Sequence, residues 1–170
     1  MTLTNRNTTM RQYNNKATKQ FFSQVMKVKK IAKKNLNEVA RMSLALWTDS
    51  SFEGEYEEAE DTLQSKKKTC FLLKDKKKYI GFISLSLRKE YVDGMTSSPL
   101  TYIEGIYVDP AYRRQGLGEK LIALGAEWGK KKGCLQYASD TDWYNEASIN
   151  MHKKSGFQEV SKVICFVKDL

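Results

Sequence analysis

The run Tyr102-Ile103-Glu104-Gly105-Ile106-Tyr107-Val108 is β-branched and aromatic, stops at Asp109-Pro110, and is followed by Arg113-Arg114-Gln115-Gly116-Leu117-Gly118 and an apolar-periodic stretch. A strand that passes through a proline turn into a glycine-marked helix start admits few folds, because the helix must pack back on the sheet that holds the strand. The same stretch makes an anion site. The first N–H groups of a helix lack carbonyl partners, the helix end carries partial positive charge, and glycine lets a phosphate approach the backbone. Arg113 and Arg114 add charge-assisted contacts. Gly-x-Gly alone is weak evidence, since any strand–helix turn can use glycine for a positive φ. The strand before it, the helix after it and the two arginines make it a phosphate loop.

The rest of the chain alternates strand and helix patterns around that loop. A short strand at Val28 to Ile31 precedes a helix opened by Asn35 or Asn37, with Leu36, Val39, Ala40, Leu44 and Trp47 on one face. The acidic segment 53–65 reads as a second helix. Thr69 to Lys74 and Lys78 to Leu87 form a hairpin about Asp75-Lys76-Lys77, the second strand running on toward Tyr91. A loop with Gly94, Ser97, Ser98 and Pro99 leads into the strand Leu100 to Val108. A helix from Leu117 to Lys132 closes at Gly133. A short strand at Leu135 to Ser139, a helix at Asn145 to Lys154 and a last strand at Glu159 to Val167 complete the order β-α-α-β-β-β-α-β-α-β. Residues 26–170 read as a single domain. Residues 1–25, rich in Asn, Thr and Lys and without an acid, read as a flexible extension.

A net charge of +9 raises the question of nucleic acid. The basic residues fall in short scattered runs at helix ends and turns, as a solvated surface has them, so no nucleic-acid partner is expected. The acids are more informative. Glu53, Glu55, Glu57, Glu58, Glu60 and Asp61 concentrate negative charge on an otherwise basic chain, which suits a cationic ligand. The apolar runs are too short to span a membrane, and no signal-peptide core follows the N-terminus, so no membrane association and a cytoplasmic location are expected. Cys70, Cys134 and Cys165 are far apart and outside metal-ligand spacing; they are expected to be core thiols, with no disulfide framework and no metal.

Arg113-x-x-Gly116-x-Gly118 resembles the pyrophosphate-binding motif of GNAT acetyltransferases, and the element order from Met26 to Leu170 is similar to that superfamily's fold. The blocks Leu46-Trp47, Arg88-x-Glu90-Tyr91-Val92-x-Gly94, Glu104 to Val108, Ala138-Ser139-Asp140 and Met151-His152-x-x-x-Gly156-Phe157 are similar to the aminoglycoside 6'-N-acetyltransferases. This resemblance implies an α/β fold with a mixed, mostly antiparallel sheet. Strands 100–108 and 135–139 would splay apart at an acetyl-coenzyme A cleft, with helices on both faces. It implies a cofactor set of Arg113, Arg114, Gln115, Gly116, Leu117, Gly118 and Glu119 at the phosphates, backbone of Ile106, Tyr107 and Val108 along the pantetheine, and Asn145. An N–H near a bulge at Glu104-Gly105 would polarise the thioester carbonyl.

The chemistry so implied is direct attack by an amine on the thioester. An amine with the basicity of lysine, pKa near 10.4, costs about 4–5 kcal/mol to hold neutral at pH 7, so a carboxylate beside it is useful. Glu104 and Asp140 match the family's amine-activating positions; which is base and which orients the amine stays open. His152 stands where many members carry a tyrosine that protonates the departing thiolate, a departure that leaves that role open. The resemblance also implies acceptor contacts at Trp47 and Tyr91, with charge from Asp49, Glu53 and Glu55, and a homodimer by analogy. A family glutamate near the last strand is replaced by Ser161, with Glu159 nearby. The leading acceptor is an aminoglycoside; a polyamine or protein amine, and a non-catalytic binding module, are the alternatives.

Overall fold

Residues 26–169 are described by a computed structural model; the segment 1–25, expected to be a flexible extension, lies outside the described residues. Five strands form one sheet in chain order: β1 (Met26–Lys30), β2 (Lys68–Asp75), β3 (Lys78–Arg88), β4 (Leu100–Val108) and β5 (Tyr137–Ser139). The first three pairings are antiparallel, and β4–β5 is parallel. Antiparallel neighbours need only short turns; the parallel pair needs a crossover, which the helix after the glycine loop supplies.

Alternation along the strands divides the core between two faces. Leu72 and Phe82 pack with Leu36, Val39, Met42 and Ala59 from α1 (Leu36–Leu44) and α2 (Phe52–Gln64). Leu73 and Ile83 pack on the other side with Leu121, Ile122 and Trp128 of α3 (Leu117–Lys131). Phe82, Leu72, Leu73 and Ile83 are fully buried, each stabilising the fold by about 1.5–3 kcal/mol. The last helix, α4 (Glu146–Lys154), sets Met151 against the start of α3 at Gly118. The loop before β4 is pinned by Gln136, whose Oε1 accepts from the N–H groups of Thr96 (2.6 Å) and Ser97 (2.8 Å).

Several local expectations are corrected. Asn35 stands at the N-cap of α1, but its side chain turns back, accepting from Ala32 N (2.8 Å) and donating to the Lys30 carbonyl (3.1 Å). α1 ends at Leu44, so Trp47 lies beyond its last turn. β3 ends at Arg88 and does not run on to Tyr91. Cys70 and Cys134 are buried as expected, but Cys165 is exposed. The last strand does not form: residues 157–169 take no regular structure and leave Val163, Ile164, Phe166 and Val167 between 70% and 96% exposed. A strand needs a neighbour for its backbone groups, and strand propensity alone does not supply one.

Candidate active site

β4 carries the geometric irregularity on which the site depends. Ser84 of β3 pairs with Gly105 and Leu85 pairs with Ile103, so Glu104 is the extra residue of a bulge. The bulge turns the Glu104 side chain out to solvent between the buried Ile103 and Gly105. Parallel pairing with β5 is confined to Thr101, Tyr102 and Ile103 against Tyr137, Ala138 and Ser139. Beyond the bulge the two strands part, and Ile106, Tyr107 and Val108 have no strand partner on that side among the described residues. Gly105 also admits Trp47: a Cβ there would come within 2.5 Å of the indole. Gly105→Ala is expected to push the indole away and to cost about 1–3 kcal/mol by overpacking, read as a fall in melting temperature and a changed tryptophan emission.

The loop after β4 is shaped by its own side chains. Asp109 accepts from Ala111 N (2.9 Å), capping the turn Pro110–Tyr112, and pairs with Lys78 Nζ at 2.6 Å. Hydrogen bonding to Lys78 first, then to the Ala111 amide, holds the Asp109 carboxyl below the usual range. Arg114 (φ 60°) and Gly116 (φ 78°) are both left-handed, which curls the chain into the start of α3. The first bond of that helix runs from Lys120 N to Gly116 O, leaving the N–H groups of Leu117, Gly118 and Glu119 without a carbonyl inside it. Arg113 Nε donates to the Val108 carbonyl (2.9 Å), and the buried Gln115 Oε1 has no partner among the described residues. The free N–H groups of Leu117, Gly118 and Glu119 at the helix start can hold a phosphate.

The two carboxylates stand either side of the parting. Glu104 is clasped by Arg88, whose Nε donates to Oε1 (3.1 Å) and Nη2 to Oε2 (2.6 Å); the Ser86 hydroxyl donates to Oε1 as well. The Arg88 guanidinium lies 3.4 Å from the centroid of the Tyr102 ring, and Asp140 is the carboxylate with the largest influence on the Tyr102 phenol. Burial first, then the Asp140 carboxylate, raises the Tyr102 phenol well above its ordinary range, so it stays protonated. Ser86, Arg88 and Tyr102 thus form connectors that lead from Glu104 toward Asp140. None of the three connectors was singled out from the sequence, because each acts through a contact across the sheet.

On the α1/α2 side, a cavity of about 370 Å³ is lined by Trp47, Glu55, Glu58, Lys68, Phe82 and Glu104. Glu55 and Glu58, three residues apart on α2, face the same way; Asp49 and Glu53 are exposed and do not line it. Glu58, already part of the acidic cluster read as suiting a cation, lines the cavity, and so does Lys68, which was not singled out from the sequence. Tyr91 is 79% exposed in the loop after β3 and lines no part of the cavity.

His152 joins α4 to β5. Its Nε2 lies 2.9 Å from Ser139 Oγ and its Nδ1 2.8 Å from the Ser148 carbonyl, with Phe157 edge-on to the ring at 5.2 Å between centroids. A neutral ring with the proton on Nδ1 gives to Ser148 and accepts from the Ser139 hydroxyl. Asn145 is the N-cap of α4, accepting from Ser148 N at 3.1 Å.

Residues 36–157 match the family model for the acetyltransferase (GNAT) family. The aminoglycoside N(6')-acetyltransferase type 1 of Salmonella enteritidis is 34% identical over 84% of this chain and 99% of that protein. The protein of the same name from Serratia marcescens is 37% identical over 80% of this chain and 94% of its own length. Among solved structures, AAC(6')-Iy in complex with the bisubstrate analogue CoA-S-monomethyl-acetylneamine superimposes with a TM-score of 0.81 at 33% identity, covering 85% of this chain and 99% of that one. The mixed sheet, its parting strands and the helices on both faces agree with that architecture.

Proposed function

The chain belongs to the acetyltransferase (GNAT) family, and from that premise we propose that it transfers the acetyl group of acetyl-coenzyme A to the 6'-amine of an aminoglycoside, conferring resistance. The observation that carries the reading is the acid-lined cavity under Trp47, with Glu104 on its wall at the point where β4 and β5 part. Relatives named for this activity at 34% and 37% identity, and a neighbour holding a coenzyme A–neamine conjugate, support it.

The free donors after β4 fit the cosubstrate. Arg113, Arg114, Gln115, Gly116, Leu117 and Gly118 would hold its pyrophosphate, with Glu119 and Asn145 at the margin; the unpaired side of Ile106, Tyr107 and Val108 would take the pantetheine. When bound, acetyl-coenzyme A supplies an acyl carbon activated as a thioester. Glu104 takes the proton of the acceptor ammonium, directly or through a water. Asp140, near the Tyr102 phenol, orients the amine. A His152 ring protonated on both nitrogens would pass its Nε2 proton to Ser139 Oγ as the Ser139 hydroxyl proton goes to the departing sulfur, leaving the neutral ring and an intact serine. His152→Gln is expected to lower kcat about tenfold and to leave KM for acetyl-coenzyme A within about twofold; an unchanged kcat removes His152 from the mechanism.

Purified protein incubated with acetyl-coenzyme A and kanamycin-like amines tests the reading, with free thiol followed over time. Thiol release is expected with 6'-amino acceptors and none with their 6'-hydroxyl analogues. No release with any 6'-amino acceptor would sink the reading, and release with a polyamine or protein amine alone would move the acceptor to that class.

The homodimer belongs to this proposal, with Tyr91 as an acceptor contact near the interface. Its support is the exposed apolar run from Val163 to Val167 together with β5 at the sheet edge, beside a cavity of about 410 Å³ lined by Gln136, Ala138, Gly156 and Val160. A second copy would cover both. Light scattering is expected to give a dimer mass for the full chain and a monomer mass after deletion of residues 162–170. Among the described residues no helix is long and apolar enough to cross a membrane. The three free thiols suit a reducing compartment, and we place the enzyme in the cytoplasm.

A further inference from the structure

The cavity assigned above to a polycationic acceptor already contains a cation. Lys68, the first residue of β2, places its Nζ 2.8 Å from Glu58 Oε1, and both side chains line the cavity. The hydrogen bond to Glu58 raises the Lys68 ammonium above its usual range, with Asp61 and Glu104 adding to the pull. Glu104 carries its own cation, Arg88. Among the described residues Glu55 is the one cavity carboxylate without an ion pair.

We propose that Lys68 is a specificity-determining residue, whose ammonium occupies Glu58 and so limits how many ammonium groups of the acceptor the cavity accepts. The inference rests on the reading that this cavity binds the acceptor. An acceptor that presents a further ammonium to Glu58 must displace Lys68 or meet it as a like charge. An acceptor with one amine, engaged at Glu104, feels Lys68 only at a distance and is less affected by the pair. The Glu58–Lys68 pair contributes no net charge to the cavity, so removing either member changes its charge by one unit in opposite directions.

The test is steady-state kinetics of the full chain with two acceptors, a 6'-amino aminoglycoside bearing several further amines and a 6-amino-6-deoxyhexoside bearing one. Lys68→Met and Lys68→Gln are each expected to lower KM for the polyamine by about tenfold. Glu58→Gln, which leaves Lys68 unpaired, is expected to raise it, and the double variant Glu58→Gln/Lys68→Met to return it near wild type. KM for acetyl-coenzyme A stays within about twofold throughout, and KM for the monoamine moves in the same direction as that of the polyamine but by much less, since its ammonium sits at Glu104 and not at Glu58. Lys68→Arg, which keeps the charge, behaves as wild type. An unchanged or raised polyamine KM in the neutral Lys68 variants overturns the proposal, and so does an equal gain for both acceptors, the mark of a packing effect. If the wild type acetylates neither acceptor, the acetyltransfer reading falls; if it acetylates both and the variants do not discriminate, only the role of Lys68 falls.

Discussion

Glu104→Gln is expected to lower kcat for acetyl transfer by about a hundredfold or more, with KM for acetyl-coenzyme A unchanged. Glutamine keeps the shape of the bulge residue, still accepts from Ser86 and still presents an oxygen to Arg88, so the wall of the cavity stands. It cannot take a proton. The ion pair with Arg88 is about one-third exposed on both sides, so its loss costs the fold little. The loss is therefore expected in turnover and not in melting temperature. Thiol release at saturating acceptor, beside a thermal melt of the same preparation, separates the two. Wild-type turnover in the variant transfers the base to Asp140, and Asp140→Asn then has to carry the large effect.

The strands of the sheet were legible because each has a local signature. β4 was read with the bounds it has, from Leu100 to Val108, since alternation, β-branching and the Asp109-Pro110 stop agree there. The geometry of the candidate site was legible where the motif is contiguous, as in the glycine turn that opens α3 from Arg113 to Gly118, and where an expected bulge fell at Glu104-Gly105. Contacts between distant residues were not legible. The clasp of Arg88 on Glu104, the stacking of Arg88 on Tyr102, the pairing of Lys68 with Glu58 and the contact of His152 with Ser139 all join separate elements, and no local period encodes them.

The missing last strand is a different kind of miss. Its sequence has the β-branched, apolar character of a strand, but pairing is a property of two segments, and β5 offers only Tyr137 to Ser139. The segment instead sets Val160 against Gly94 and donates from the Ser161 hydroxyl to Asp93. Local propensity and tertiary opportunity disagree there, which is why the dimer test is aimed at that segment.

Gly116→Val is expected to raise KM for acetyl-coenzyme A by about tenfold or more while KM for the acceptor holds. Gly116 has a φ of 78°, a conformation that costs a side-chain-bearing residue about 1–2 kcal/mol and a β-branched one more. Relief of that strain rotates the peptide groups that open α3, and the free N–H groups of Leu117, Gly118 and Glu119 no longer converge on one anion. Strain alone would also lower the melting temperature, so a control must carry the strain without the cradle. Gly133 supplies it: its φ is 81°, an added Cβ there meets nothing within 4 Å, and it lies at the opposite end of α3. Gly133→Val is expected to lower the melting temperature by a comparable few degrees and to leave KM for acetyl-coenzyme A unchanged. Equal rises in that KM for both variants would mean that the helix as a whole, and not its first turn, holds the cosubstrate. No rise for Gly116→Val would remove the loop from the binding site.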